Sequence, residues 1–234
     1  MGPVGRLLRI LSLALITAGL VVVADIVTTL VWKEPVSTVY GSIQQGKAED
    51  QLAELESEFP ARSDLREVEH LDGVRRKVEA LAGLFAKRVR TGEAIGRLRI
   101  PRIDLDVVAV QGTDTASLQK GPGHYPETPF PGQRGTSAFA GHRTTYLAPF
   151  RHLDELQRGD EIEVEMPYAN FAYEVEKTRV VDDSDVDIIH RVGYERLVLT
   201  ACHPLYSAAQ RIAAFARLTE VSFFAIGDRK WYDP

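Results

Sequence analysis

One cysteine, Cys202, occurs in 234 residues, which excludes an internal disulfide and a fold stapled by cross-links. A basic excess is also missing: 28 Lys and Arg face 33 Asp and Glu, net −5, so nothing favours a nucleic-acid partner. There is no Gly-rich phosphate loop, no metal-ligand spacing and no internal repeat. No metal and no organic cofactor is expected.

What the chain does have is one long apolar run, "ILSLALITAGLVVVADIVTTLVW", residues 10–32, interrupted only by Asp25. As a helix it is long enough for a hydrocarbon core of ~30 Å. Arg6 and Arg9 precede it, whereas Lys33 and Glu34 cancel behind it, so the positive-inside rule places residues 1–9 in the cytoplasm. No small-x-small cleavage pattern follows the run, which favours a retained single-pass anchor over a cleaved signal peptide. The remainder is then extracellular. A lone thiol in an oxidising compartment becomes a candidate reactive group.

Residues 33–91 read as a polar connector, Val36 to Gln45, followed by a charged helical stalk. Beyond Pro60, Ser63 is a candidate cap for a helix in which Leu65, Val68, Leu71, Val74, Val78, Leu81 and Phe85 recur at three- and four-residue intervals. Gly73 and Gly83 weaken that stripe, so the stalk is expected to pack loosely. From Gly96 the texture is mostly β, with short apolar runs between turn residues. "APFRHLDELQRGD" reads as one short helix ending at Gly159. A catalytic domain over 92–222, able to fold without the stalk, and a tail over 223–234 complete the division.

The thiol ends the run "RLVLTAC", where Pro204 cannot continue a ladder. Cys202 is therefore either a small buried hydrophobe or a side chain reaching solvent at a strand end. If the strand holds, His203 points to the opposite face. His142, after the β-like "TSAFAG", is the better base, with Gly141 permitting an unusual turn. His70, His124, His152 and His190 read as ordinary polar surface residues. Arg211 offers five donors for a peptide carbonyl and its developing charge. It stands in "QRIAAFARL", alanine-rich enough to pass for a helix.

Together, "AGHRTTY", "LTACHP" and "QRIAAFARL" resemble the His, Cys and Arg motifs of sortases, membrane-anchored cysteine transpeptidases. "GPGHYPETPFPGQRG" and "AGHRTTYLAPF" resemble class E of actinobacteria most. The resemblance covers residues 96–218 and implies a sortase-type β-barrel with short helices, with "QRIAAFARL" as a strand beside the cysteine strand. It implies Cys202 as nucleophile, His142 as acid/base and Arg211 as holder of the substrate backbone and oxyanion. Thr200, Ala201 and Tyr146 become candidate substrate contacts; the family's motif has Thr directly before Cys, and here that residue is Ala201. The implied reaction cleaves a Leu-Ala/Pro-X-Thr-Gly sorting signal of a secreted protein between Thr and Gly. The product passes to an amine of a peptidoglycan precursor. An Asp-Pro-aromatic lid motif is absent between residues 41 and 95, which points to a housekeeping-type anchoring role. Two other readings stay open: a cysteine endopeptidase with water as acceptor, and a non-catalytic membrane-tethered binding module.

Overall fold

The computed structural model describes residues 3–31 and 35–223. The first helix, α1 (Pro3–Val31), contains the apolar stretch Val4–Val27 with mean hydropathy 2.5, none of it buried against the rest of the chain. It is long and apolar enough to cross a membrane. Trp32 at the end of the expected anchor, and residues 224–234 of the expected tail, lie outside the described residues.

The expected polar connector is instead helical: α2 (Pro35–Glu58) takes in Val36–Gln45 and continues past it. Tertiary contact explains this, because Ala48 and Leu52 are buried against Ala94 and Val108 of the barrel. The stripe beyond Pro60 forms two helices rather than one, α3 (Arg62–Val68) and α4 (Val74–Ala86). Gly73, at φ 81°, makes the break. Ser63 lies inside α3; it is Asp64 that accepts the Ala61 N–H at its start, at 2.9 Å, while Arg88 holds the same carboxylate at 2.6 and 2.9 Å.

Eight strands follow: β1 (Ala94–Ile100), β2 (Leu105–Gln111), β3 (Gly123–His124), β4 (Thr136–Ala140), β5 (Glu161–Met166), β6 (Ala169–Asp182), β7 (Arg196–His203) and β8 (Gln210–Phe223). They close a barrel in the order β1-β2-β3-β4-β7-β8-β6-β5, with β5 returning to β1. Pairings β2–β3 and β4–β7 are parallel and the others antiparallel. "QRIAAFARL" is therefore strand, as the resemblance implied; its small residues suit a wall where Ala214 and Ala216 pack inward beside Leu197, Leu199 and Ala201. The run before Gly159 is not the helix expected there but only a single tight turn, Leu153–Glu155. Leu153 and Leu156 anchor it in the core, and Arg143 holds Asp154, so tertiary contacts set its shape.

Phe59, Val68, Val78, Leu81 and Phe85 join that same core, with Phe85 ringed by Phe59, Phe130 and Tyr168 at 5.3–5.5 Å. The helical region is thus no loosely packed stalk. Its apolar face is one wall of the domain, at roughly 2 kcal/mol per fully buried large side chain.

Candidate active site

Three adjoining strands, β4, β7 and β8, carry the candidate residues to one end of the barrel. Cys202 and Arg211 are direct register partners of β7 and β8. On the other side, Ala140 pairs with Thr200 in the parallel ladder, and Gly141 N–H extends it by donating to Thr200 O at 2.9 Å. His142 and Cys202 each lie two residues beyond that pair. Parallel strands run ~4.8 Å apart, so the segments leading to His142 and Cys202 leave this last pair side by side.

Gly141 is needed for space rather than for an unusual turn, contrary to expectation: a Cβ there would lie 2.4 Å from the Phe150 ring. That close approach lets Phe150 N–H donate to His142 O at 3.0 Å, folding the loop back over the strand end. The loop then passes through three consecutive left-handed residues, Tyr146, Leu147 and Ala148, at φ 49°, 65° and 45°. Such backbone is costly for non-glycine residues and is held here by its surroundings. The Tyr146 ring lies 5.1 Å from the His142 ring, tilted by 44°, and its hydroxyl accepts from Gln119 at 3.1 Å. Burial lowers the His142 pKa below the ordinary 6.5, and its Nε2 is buried with no hydrogen-bond partner among the described residues. The imidazole is thus neutral at neutral pH, with a nitrogen uncommitted.

Alternation along β7 sorts the remaining candidates. Leu197, Leu199 and Ala201 point into the barrel, and Ala201 is buried in the core. Val198 lies instead in a second apolar layer with Ala138, Ala213 and Phe215, and Thr200 and Cys202 share its parity. Thr200 is buried, its hydroxyl 2.9 Å from that of Tyr125. Cys202 is half-buried. Arg211 donates from Nη1 to Ala208 O at 2.8 Å and Gln210 O at 2.9 Å, which leaves its Nε and Nη2 hydrogens for another acceptor.

His203 turns away from the thiol, as parity required. Its Nδ1 accepts from Arg143 Nη1 at 2.9 Å. Arg143 is itself buried, and also donates to Arg151 O at 3.2 Å and pairs with Asp154 at 2.6 Å. Sequence reasoning missed this clamp, although Arg143 stands within the quoted "AGHRTTY". His124 is a second miss: it is fully buried, stacked on Phe130 at 4.3 Å, and desolvation lowers its pKa to about 4. It is a core residue and not the surface histidine expected. His70, His152 and His190 are exposed or nearly so. Among the described residues no group of His, Cys, Asp and Glu could hold a metal ion.

A thiol at the end of one strand, with a guanidinium on the neighbouring strand and an imidazole just past the end of the other neighbour, at the rim of a closed β-barrel, is the equipment of a cysteine-dependent acyl-transfer enzyme. The Sortase domain family matches residues 98–219. Sortase D of Bacillus subtilis is 34% identical over 145 residues, covering 62% of this chain and 72% of that protein. Sortase SrtE1 of Streptomyces coelicolor is 30% identical, covering 55% of this chain and 41% of its own greater length. Among solved structures, sortase E1 from Streptomyces coelicolor with a tripeptide in its active site aligns with a TM-score of 0.53. The identity is 29%, and the alignment covers 56% of this chain and 90% of that one. The chain belongs to the sortase family. At the family level this brings a cysteine transpeptidase or hydrolase activity, in a molecule with relatives in both class D and class E.

Proposed function

We propose that the chain is a class E-type sortase, anchored by α1 with its N-terminus in the cytoplasm and its barrel outside. It would cut a Leu-Ala/Pro-X-Thr-Gly signal between Thr and Gly and join the new Thr carboxyl to a cell-wall amine. The carrying observation is that Cys202 is the register partner of Arg211, with His142 two residues past the end of the neighbouring β4. Residues 92–222 hold the chemistry, and 33–91 hold that unit and join it to the anchor.

In the first half-reaction, neutral His142 takes the thiol proton as Sγ attacks the Thr carbonyl carbon. A C–S bond forms and the carbonyl π pair moves to oxygen, where the remaining donors of Arg211 stabilise it. Collapse breaks the C–N bond, and the imidazolium gives its proton to the departing Gly amine. In the second, the acceptor amine attacks the thioester and yields a proton to His142, and C–S cleavage returns that proton to the sulfur. Tyr146 would border the peptide beside His142. Class E is supported by the likeness of residues 121–135 and 140–150.

The test incubates the full chain with Leu-Ala-X-Thr-Gly and Leu-Pro-X-Thr-Gly peptides and an amine, and reads products by mass spectrometry. A thioacyl adduct on Cys202, an amide product and faster turnover of the Ala peptide are expected. Water-only products would make the enzyme an endopeptidase, absence of any adduct would remove catalysis, and equal kcat/KM for the two peptides would remove the class.

A further inference from the structure

Only residues 32–34 separate the apolar helix α1 from α2, and α2 reaches the active-site loop almost at once. A Cβ on Gly41 would lie 3.0 Å from Leu147 Cγ and 3.0 Å from the Tyr146 carbonyl carbon, so helix backbone rests directly on the left-handed loop. Next to it, the Tyr40 ring lies 6.0 Å from Tyr146, whose ring is 5.1 Å from His142. The helix is not free to swing. Gln45 pairs with Val108 as a strand would, accepting from its N–H at 2.9 Å and donating to its carbonyl at 2.9 Å. Further along, Ala48, Leu52 and the adjoining Phe59 are buried in the domain.

Chain geometry then limits how far the site can stand from the bilayer. Four residue steps from Val31 to Pro35 span at most ~14 Å even when fully extended. Six helical steps from Pro35 to Gly41 add ~9 Å. We infer that α2 is a rigid strut holding the catalytic mouth at a fixed, short height above the membrane, with the His142 ring within about 35 Å of the end of α1. Val39, Tyr40 and Ile43, exposed beside that contact, present an apolar and aromatic surface suited to the headgroup region. Resting on the proposed function, the strut also measures the substrate: a signal tethered a few residues outside its own membrane span meets the site, and a long flexible spacer dilutes it.

The lone cysteine makes the height measurable without any chemistry. The full chain in phosphatidylcholine nanodiscs, labelled at Cys202 with a small fluorophore, is paired with a headgroup-dye acceptor. Strong energy transfer, corresponding to about 40 Å or less, is expected. Inserting 20 Gly/Ser residues between Lys33 and Glu34 should weaken it, because such a linker adds roughly 25 Å of root-mean-square reach. Weak transfer in the parent chain, or the same transfer after insertion, would overturn the strut.

The substrate part uses reporter proteins with 3 or 40 residues between signal and apolar helix, and a soluble peptide beside them. The parent chain should favour the short spacer by tenfold or more, and the insertion variant should lose most of that preference while cleaving soluble peptide normally. A flat profile with normal peptide cleavage would overturn the ruler alone. No peptide cleavage would overturn the proposed chemistry and the ruler with it, leaving the height measurement to stand or fall separately.

Discussion

Arg143 donates to His203 Nδ1 across 2.9 Å, tying the residue after His142 to the residue after Cys202. The guanidinium is always a donor, so His203 is the acceptor of this bond, at Nδ1. The imidazole nearest the thiol in sequence is thus a brace between two loops, and the more distant His142 carries the uncommitted nitrogen.

The two histidines should separate cleanly on mutation. His142→Ala should lower peptide acylation by about a thousandfold, the range for loss of a general acid/base. His203→Ala should stay within about tenfold of wild type. Arg143→Gln should destabilise the fold by about 2 kcal/mol through lost charge-assisted hydrogen bonds, read as a urea midpoint. Equal losses of acylation for the two histidine variants would reverse the assignment of the base.

The domain boundary gives a prediction opposite to the one composition invites. A fragment starting at residue 92 loses Phe59, Val68, Val78, Leu81 and Phe85 from the core. At ~2 kcal/mol each this is on the order of 10 kcal/mol, comparable with a whole domain's stability. Such a fragment should aggregate or expose hydrophobic surface to a dye, whereas one starting at residue 35 should melt cooperatively. A cooperative melt for the shorter fragment would show that the barrel closes its core without the helices.

These cases show which features the sequence makes legible. Strand β7 and the lone thiol at its end were readable because an apolar run before Pro204 has few alternatives. Parity then turned His203 away from Cys202 and, extended one residue back, turned Ala201 inward. The partners of α4 were not readable, since periodicity identifies an apolar face but not what covers it. Helix α2 was hidden for a related reason: "PVSTVYGSIQQG" has weak intrinsic propensity and is ordered by contacts of Gly41 and Gln45 with residues about 60 to 100 positions away. His124 had no signal of burial, because its stacking on Phe130 depends on how the 121–135 loop folds.

Acid should destabilise the protein through that histidine. Folded His124 titrates at about 4, against 6.5 for the unfolded chain. As pH falls the unfolded chain binds the proton first, so stability declines between pH 6.5 and about 4 and this contribution then levels off. The loss is ~3 kcal/mol, and buried His142 adds to it in the same direction. Urea midpoints at pH 7, 5.5 and 4 should show it. His124→Gln should be less stable at pH 7 yet flatter across that range; an equal slope would assign the acid sensitivity to other groups.

Arg211→Lys should be almost as inactive as Arg211→Ala although charge is kept. The guanidinium is held by its two Nη1 bonds to the Ala208 and Gln210 carbonyls, which leave its Nε and Nη2 hydrogens uncommitted on the strand next to Cys202, its register partner. A lysine ammonium is a mobile point charge that would have to reorganise as the oxyanion forms. Loss of one well-placed oxyanion donor costs ~3 kcal/mol, a hundredfold or more in rate. If the residue serves acyl transfer, both variants should keep the parent melting temperature and the parent rate of Cys202 alkylation by iodoacetamide, while peptide acylation collapses in both. Near-parent acylation by Arg211→Lys would reduce the side chain to a simple positive charge. Parallel losses of alkylation and acylation would make Arg211 a promoter of the thiolate instead.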